Sequence, residues 1–253
     1  MERRIPLFYT ENKLEARIKE LSEYRYRNKQ EISIFNCMQD TGEIGAYPPD
    51  QASGKTISIG DKWRGRDVYL WLQTDLEIPA EWNGKKAVGL FDFGRTGGGN
   101  NSGFESLLFL NQKPFQGVDS NHQEVFFPED AAGHSIRLDF RLWSGLEGGG
   151  PQKEQEYTIR TAEIAWLDEQ IDDLYFTSQA VYETIKELRE EAPEKQLLLT
   201  SLNQSYKEID WTEPGSSCFY ESCYQARAIL NDRLEQIEKN HSVTIHAIGH
   251  THI

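Results

Sequence analysis

Long apolar runs are missing from this sequence. No stretch approaches the roughly 18 consecutive apolar residues that a membrane-spanning helix needs. The opening MERRIPLFYTENKLEARIKEL lacks the apolar core of a secretory signal. These two absences predict a cytoplasmic protein with no membrane partner. Cysteine is scarce as well: the three present, Cys37, Cys218 and Cys223, have no metal-type spacing and no even pairing, which points to reduced thiols rather than a disulfide framework. Positive charge is in short supply, with 27 Lys and Arg against 41 Asp and Glu and a formal net charge of −14. Only the short run from Arg25 to Lys29 interrupts that acidity, so a phosphate backbone would be repelled and nucleic acid is excluded as a partner.

What is present suits a folded chain. Apolar residues make up 38% and charged residues 27% of the 253 positions, a balance outside the disordered class. The length exceeds the usual ~100–200 residues of one domain, leaving open one large domain or a domain with a helical attachment. From Glu11 to about Arg27, Leu14, Ile18 and Leu21 recur at helical spacing and predict an amphipathic helix. The stretch from there to about Trp63 holds Gly42, Gly45, Pro48, Pro49, Ser53 and Gly54, and reads as an irregular arm.

Between Trp63 and Phe176 the pattern becomes that of strands. In IRLDFRLW, Ile136, Leu138, Phe140 and Leu142 alternate with Arg137, Asp139 and Arg141, the signature of a strand with one buried face. VYLWLQTDLEI at 68–78 and AVGLFDF at 87–93 read as strands apolar on both sides, and SLLFLNQKPFQGV at 106–118 as a hairpin turning within Asn111 to Pro114. TIRTAEIAWLDEQIDDLYF continues the sheet or turns helical at one end. Short strands at regular spacing favour an antiparallel β-sandwich over a parallel α/β sheet. After Thr177 helical spacing returns. One helix passes through Val181, Ile185 and Leu188, and a second covers about Glu194 to Tyr206. A third carries the stripe Phe219, Cys223, Ala226, Leu230, Leu234 and Ile237, capped by Ser216 or Ser217. VTIHAIGHTHI then reads as a buried strand, and a chain that stops there suggests truncation. The expected divisions are 1–62, helix and arm; 63–176, sandwich; 177–241, helical linker; and 242–253, the start of a truncated domain.

Candidate chemistry concentrates at the closing residues. In Gly249-His250-Thr251-His252-Ile253 two imidazoles share one side of an extended strand, and neutral imidazole is a common zinc ligand, but two ligands fall short of a catalytic zinc site. The glycine-rich stretches at 93–103 and 144–152 lack the Gly-Lys-Ser/Thr ending and the following helix of a phosphate loop, and read as loops between strands. Of the tryptophans, Trp71, Trp143 and Trp166 lie in strand runs and read as core, whereas Trp63 and Trp82 lie nearer loops, where Trp82 is the candidate sugar-stacking ring. Asp172, Asp173, Glu187, Glu190 and Glu191 read as solvated surface. No catalytic carboxylate pair is found.

Three stretches together resemble the bacterial and cytosolic branch of the family 38 α-mannosidases: 69–125 (YLWLQTDLEIPAEWNGKKAVGLFDFGRTGGGNNSGFESLLFLNQKPFQGVDSNHQEV), DFRLWSGLEGGGP at 139–151, and HAIGHTHI at the end. The resemblance implies an N-terminal, galactose-binding-like or jelly-roll β-sandwich followed by helices leading into a catalytic domain. It places His252 at the second histidine of a His-x-His-x-Asp zinc motif whose aspartate would follow Ile253. It further implies retaining hydrolysis of α-mannosides by the intact enzyme, with zinc bound only there. For these residues it implies no catalytic group, a structural and assembly role, docking to their own catalytic domain, and homo-oligomers, since an unpaired last strand would be taken up by another chain. A carbohydrate-binding module recognising mannosides is the alternative.

Overall fold

The computed structural model describes residues 10–40, 47–52, 54–96, 103–146, 154–237, 246, 247 and 249. They fall into two compact units: Tyr26–Glu169, and the described parts of Met1–Arg25 with Gln170–Ile253.

In the Tyr26–Glu169 unit the described strands pair antiparallel. Its strands are β1 (Tyr26–Glu31), β2 (Phe35–Asp40), β3 (Lys55–Ile57), β4 (Lys62–Gly65), β5 (Tyr69–Glu77), β6 (Lys86–Asp92), β7 (Glu105–Leu110), β8 (Lys113–Asp119), β9 (Glu124–Phe126), β10 (Ser135–Trp143), β11 (Gln155–Thr158) and β12 (Thr161–Leu167). Six of them form a sheet in the order β3-β2-β5-β10-β7-β8, four another in the order β1-β12-β6-β9, and β11 with β4 a short ribbon. The two larger sheets share one core, so the unit is a β-sandwich. Phe140 of the six-stranded sheet sits 4.7 Å from Phe91 of the four-stranded one and 4.9 Å from Phe93, ring centre to ring centre. These tilted and edge-on contacts are the geometries that aromatic quadrupoles favour.

The strand expected most clearly is present as β10, with Ile136, Leu138, Phe140 and Leu142 all buried. β5 and β6 stand where 68–78 and 87–93 placed them, and β7 and β8 form the expected hairpin. Its turn narrows to Asn111 and Gln112, both with positive φ (49° and 66°), the conformation a two-residue hairpin turn of type I′ demands.

The arm expected from about Arg27 to Trp63 is corrected: β1 to β3 and the start of β4 lie within it. The apolar pattern there is too thin to reveal them. β1 buries no residue and β2 only Phe35 and Cys37; pairing to β12 and to β5, not local pattern, makes them strands. An irregular piece remains at 47–52 and lies over the outer face of the six-stranded sheet. The guanidinium of Arg137 donates to the carbonyls of Pro49 and Asp50, and the Ala52 N–H donates to the Gln73 side chain at 3.0 Å. Asp139, fully buried, completes this cluster: its carboxylate accepts from Gln73 at 2.7 Å and from Arg137 Nε at 3.0–3.1 Å.

The second unit contains α1 (Thr10–Leu21), α2 (Glu169–Glu187), α3 (Pro193–Lys207) and α4 (Ser217–Glu235). The stripe Leu14, Ile18 and Leu21 is buried as predicted, in one cluster with Ile171, Ile185, Leu202, Phe219 and Leu230. α1 stops short of Arg27, because Tyr26 opens β1. The segment left open between sheet and helix resolves into both: β12 ends at Leu167 and α2 begins at Glu169. Proline opens α3, where its missing N–H costs nothing. Ser216, not Ser217, caps α4, accepting from the Phe219 N–H at 3.2 Å. The expected buried strand over 243–248 lies mostly outside the described residues; His246 and Ala247 within it are exposed and in no strand. Among the described residues no helix is long and apolar enough to cross a membrane.

Replacing Arg137 by Met strands the Asp139 carboxylate in the protein and is expected to destabilise by about 3–5 kcal/mol. The double replacement of Arg137 by Met and Asp139 by Leu recovers the larger part of that loss. Urea titration of both variants checks this.

Candidate functional site

The residues that alternate with the buried stripe of β10 point to the other side of its sheet, and residues directly opposite on antiparallel strands point the same way. Following the register outward from Trp143 therefore traces one row across five strands: Asp40 on β2 opposite Tyr69 on β5, Tyr69 opposite Trp143, Trp143 opposite Glu105 on β7, and Glu105 opposite Asp119 on β8. Two aromatic rings are thus flanked by carboxylates on both sides.

The rings are held in place. The Tyr69 and Trp143 ring centres are 6.4 Å apart with planes 24° from parallel, and both side chains are only partly buried. The indole N–H of Trp143 donates to Asp67 Oδ1 at 2.9 Å. Asp67 itself sits at a positive φ of 55°, unusual for a residue with a side chain. Its N–H is tied to the Gly145 carbonyl at 3.0 Å, and Gly145, with a φ of 76°, supplies the left-handed turn that glycine adopts freely. Arg141 lies over the Tyr69 ring at 4.5 Å and bonds Asp40 Oδ2 at 2.7 Å. Tyr69 is thereby backed by a cation that is itself neutralised.

The acids differ. Glu105 is exposed. Asp119 accepts the backbone N–H groups of Asn121 (2.7 Å) and His122 (2.9 Å) and faces the His122 ring at 3.0 Å. Partial burial opposes its charge, but the bonds from His122 and from those two backbone groups outweigh that and hold its carboxyl below the ordinary aspartate range. Because Asp119 is committed to its own turn, Glu105 and Asp119 do not make the two free carboxyls that glycoside hydrolysis requires.

The core reading of Trp143 and Trp166, and the candidacy of Trp82 as a sugar-stacking ring, are corrected. Trp82 is 1% and Trp63 3% exposed, so neither offers a ring face to a sugar. Trp143 and Trp166 are partly exposed instead, as is Trp211. Proximity to a loop in sequence says little about exposure when the loop's strands close over the ring. Trp63 stacks on Tyr157 at 4.2 Å and donates its indole N–H to the Phe93 carbonyl. Trp71 is buried as expected, but under the outer face, against Phe109 and Arg141. The reading of solvated acids is corrected for two residues, Asp172, which pairs with Arg25 at 2.6 Å, and Asp173, which pairs with Arg227 at 2.5 Å, while Glu190 stays exposed although it pairs with Lys195 at 2.6 Å. These partners are distant in sequence or in a neighbouring turn, beyond the reach of helical spacing.

Of the glycine-rich loops, residues 97–102 and 147–153 lie outside the described residues; their described flanks are irregular apart from a bridge between Arg95 and Gly103. His250 and His252 also lie outside them. Among the described residues no group of three or more His, Cys, Asp or Glu is arranged to hold a metal.

No family model and no curated protein matches the chain. Solved structures similar to it are β-glucuronidases. One from Ruminococcus gnavus in complex with D-glucaro-d-lactam has 14% identity and a TM-score of 0.38, over 56% of this chain and 30% of that one. One from Faecalibacterium prausnitzii has 12% identity and a TM-score of 0.40, over 55% and 31%, and one from an uncultured Clostridium sp. has 13% and 0.40, over 56% and 29%. The chain spans about 30% of the length of these proteins, and at such scores the likeness assigns it no activity. The expected membership of the α-mannosidase family is corrected by these findings: no family model matches the chain, and these similar structures are β-glucuronidases. Two of the stretches that carried the resemblance, 69–125 and 139–151, run mainly through β5 to β10 and their connections, where packing governs much of the side-chain choice and chemistry does not follow from architecture.

Two outcomes are expected. Trp82→Ala lowers stability by about 3–5 kcal/mol in urea unfolding. Asp119 contributes stability that is present above the unfolded aspartate pKa and is lost as pH falls through its lowered folded value. Asp119→Asn therefore flattens the fall of melting temperature below about pH 4, read by thermal scans across that range.

Proposed function

We propose that this chain is a non-catalytic part of a carbohydrate-active protein, a glycoside hydrolase, and that the outer face of its six-stranded sheet contacts sugar. The row Asp40–Tyr69–Trp143–Glu105–Asp119 carries this reading. A pyranose presents apolar C–H faces and a rim of hydroxyls. Near-parallel rings on neighbouring strands match the faces, and an exposed acceptor such as Glu105, one strand over from Trp143, matches the rim. The ring positions are preset by the Asp67 and Arg141 contacts, which reduces the ordering cost of binding. The galactose-binding-like or jelly-roll form of the sandwich, a docking role towards a catalytic domain, and self-association belong to this proposal.

Calorimetric titration of the whole chain with a panel of neutral oligosaccharides tests it. Saturable binding is expected, with Trp143→Ala weakening it at least about tenfold, or ~1.4 kcal/mol, at unchanged melting temperature, and Tyr69→Ala weakening it less. Absence of saturable heat across the panel, or binding indifferent to Trp143→Ala, removes the proposal.

A further inference from the structure

A second recess in the sandwich has a different character. It opens where β2, β3 and β4 approach one another and is lined by Cys37, Gln39, Lys55, Lys62, Trp63, Arg64, Val68 and Leu70 among others, with a volume of about 440 Å³. That is within the ~300–1,000 Å³ of small-molecule sites. Val68 and Leu70, both partly exposed, make its apolar wall, with Trp63 buried behind them on Tyr157. Three cations line it, and Glu156 on β11 bonds two of them, Lys62 at 2.6 Å and Arg64 at 3.2 Å. Lys62, chiefly, and Arg64 draw the Glu156 carboxyl below its ordinary range. Three positive charges against one negative, in a chain of net charge −14, make a local field opposite to that of the molecule.

The larger groove at the end of the four-stranded sheet, about 690 Å³, has no such imbalance: Lys85 and Lys86 are met by Glu129 and Glu169. Its cations are also already engaged. Lys85 lies 4.4 Å from the Trp166 ring centre and Lys86 lies 4.7 Å from that of Phe126.

We propose that the recess between β2, β3 and β4 accepts an acidic sugar, its carboxylate held by Lys55, Lys62 and Arg64 and its ring against Val68 and Leu70. The acidic-sugar part rests on the carbohydrate reading above; the anion-accepting part does not. Glu156 occupies two of the three cations in the free protein, so an incoming carboxylate competes with it. Removing that competitor should strengthen binding, an effect opposite to the loss of a merely structural ion pair.

The test is titration of the whole chain with galacturonate, with galactose and with inorganic phosphate, in the parent and in Lys55→Glu, Glu156→Gln and Trp143→Ala forms. Expected are saturable galacturonate binding weakened by salt, at least tenfold weaker galactose binding, loss of the difference in Lys55→Glu, and severalfold tighter galacturonate binding in Glu156→Gln. Phosphate competing with galacturonate supports the site. Galactose and galacturonate binding equally, or galacturonate binding that Lys55→Glu leaves intact, overturns it. Binding lost in Trp143→Ala but kept in Lys55→Glu overturns this site while sparing the outer-face platform. Binding lost in Lys55→Glu but kept in Trp143→Ala supports this site and counts against the platform. Phosphate binding without galacturonate binding overturns the acidic-sugar assignment.

Discussion

The strand Ser135–Trp143 must satisfy two incompatible surroundings at once, and the sandwich is built around that demand. Its inward residues meet Phe91 and Phe93 across the core, where one added polar atom would be costly. Its outward residues include Asp139, a carboxylate with no exposure to water. A charge in that position is tolerable only when fully partnered, and the partners come from three places: Arg137 on the same strand, Gln73 on the next, and, through these two, the backbone of the 49–52 segment. The segment is thereby tied across the sheet, and with it the surroundings of the face that carries Trp71, Tyr69 and Trp143.

The proposed sugar platform follows from the same alternation. Arg141 and Trp143 continue the outward set that begins with Arg137 and Asp139. Arg141 is then in position to cover Tyr69 and pair with Asp40, while the indole of Trp143 reaches Asp67. A slip of one residue in the register of this strand would exchange every inward and outward side chain. The rigidity of the core and the orientation of the platform are therefore one property. Charge is handled locally: Arg141 is neutralised by Asp40 and Asp119 is absorbed by its turn, whereas Lys62 and Arg64 share Glu156 between them.

The helical unit follows simpler rules. Its stripes of Leu, Ile and aromatic residues meet in one cluster. Its helix starts are set by Pro193 and by the Ser216 cap, and Asp172 and Asp173 bond to Arg25 and Arg227. None of the groups on which a function is proposed lies in this unit.

Periodicity by itself determined the β10 strand, a hairpin within 106–118, strands within 68–78 and about 87–93, the helical stripes and the antiparallel β class, because each is encoded by neighbours a few residues apart. Tertiary structure alone decided which tryptophans are exposed, that Phe35–Asp40 is a strand, and that Asp172 has a partner. Burial and pairing depend on segments tens of residues away, as with Trp63 closed over by Tyr157 and Phe93. The row from Asp40 to Asp119 was equally invisible, since its five residues are scattered between positions 40 and 143 and meet only when the register of four strand pairs is set. Family-level chemistry read from strand-rich stretches did not survive, for those stretches encode how two sheets pack, and many unrelated sites can be placed on that architecture.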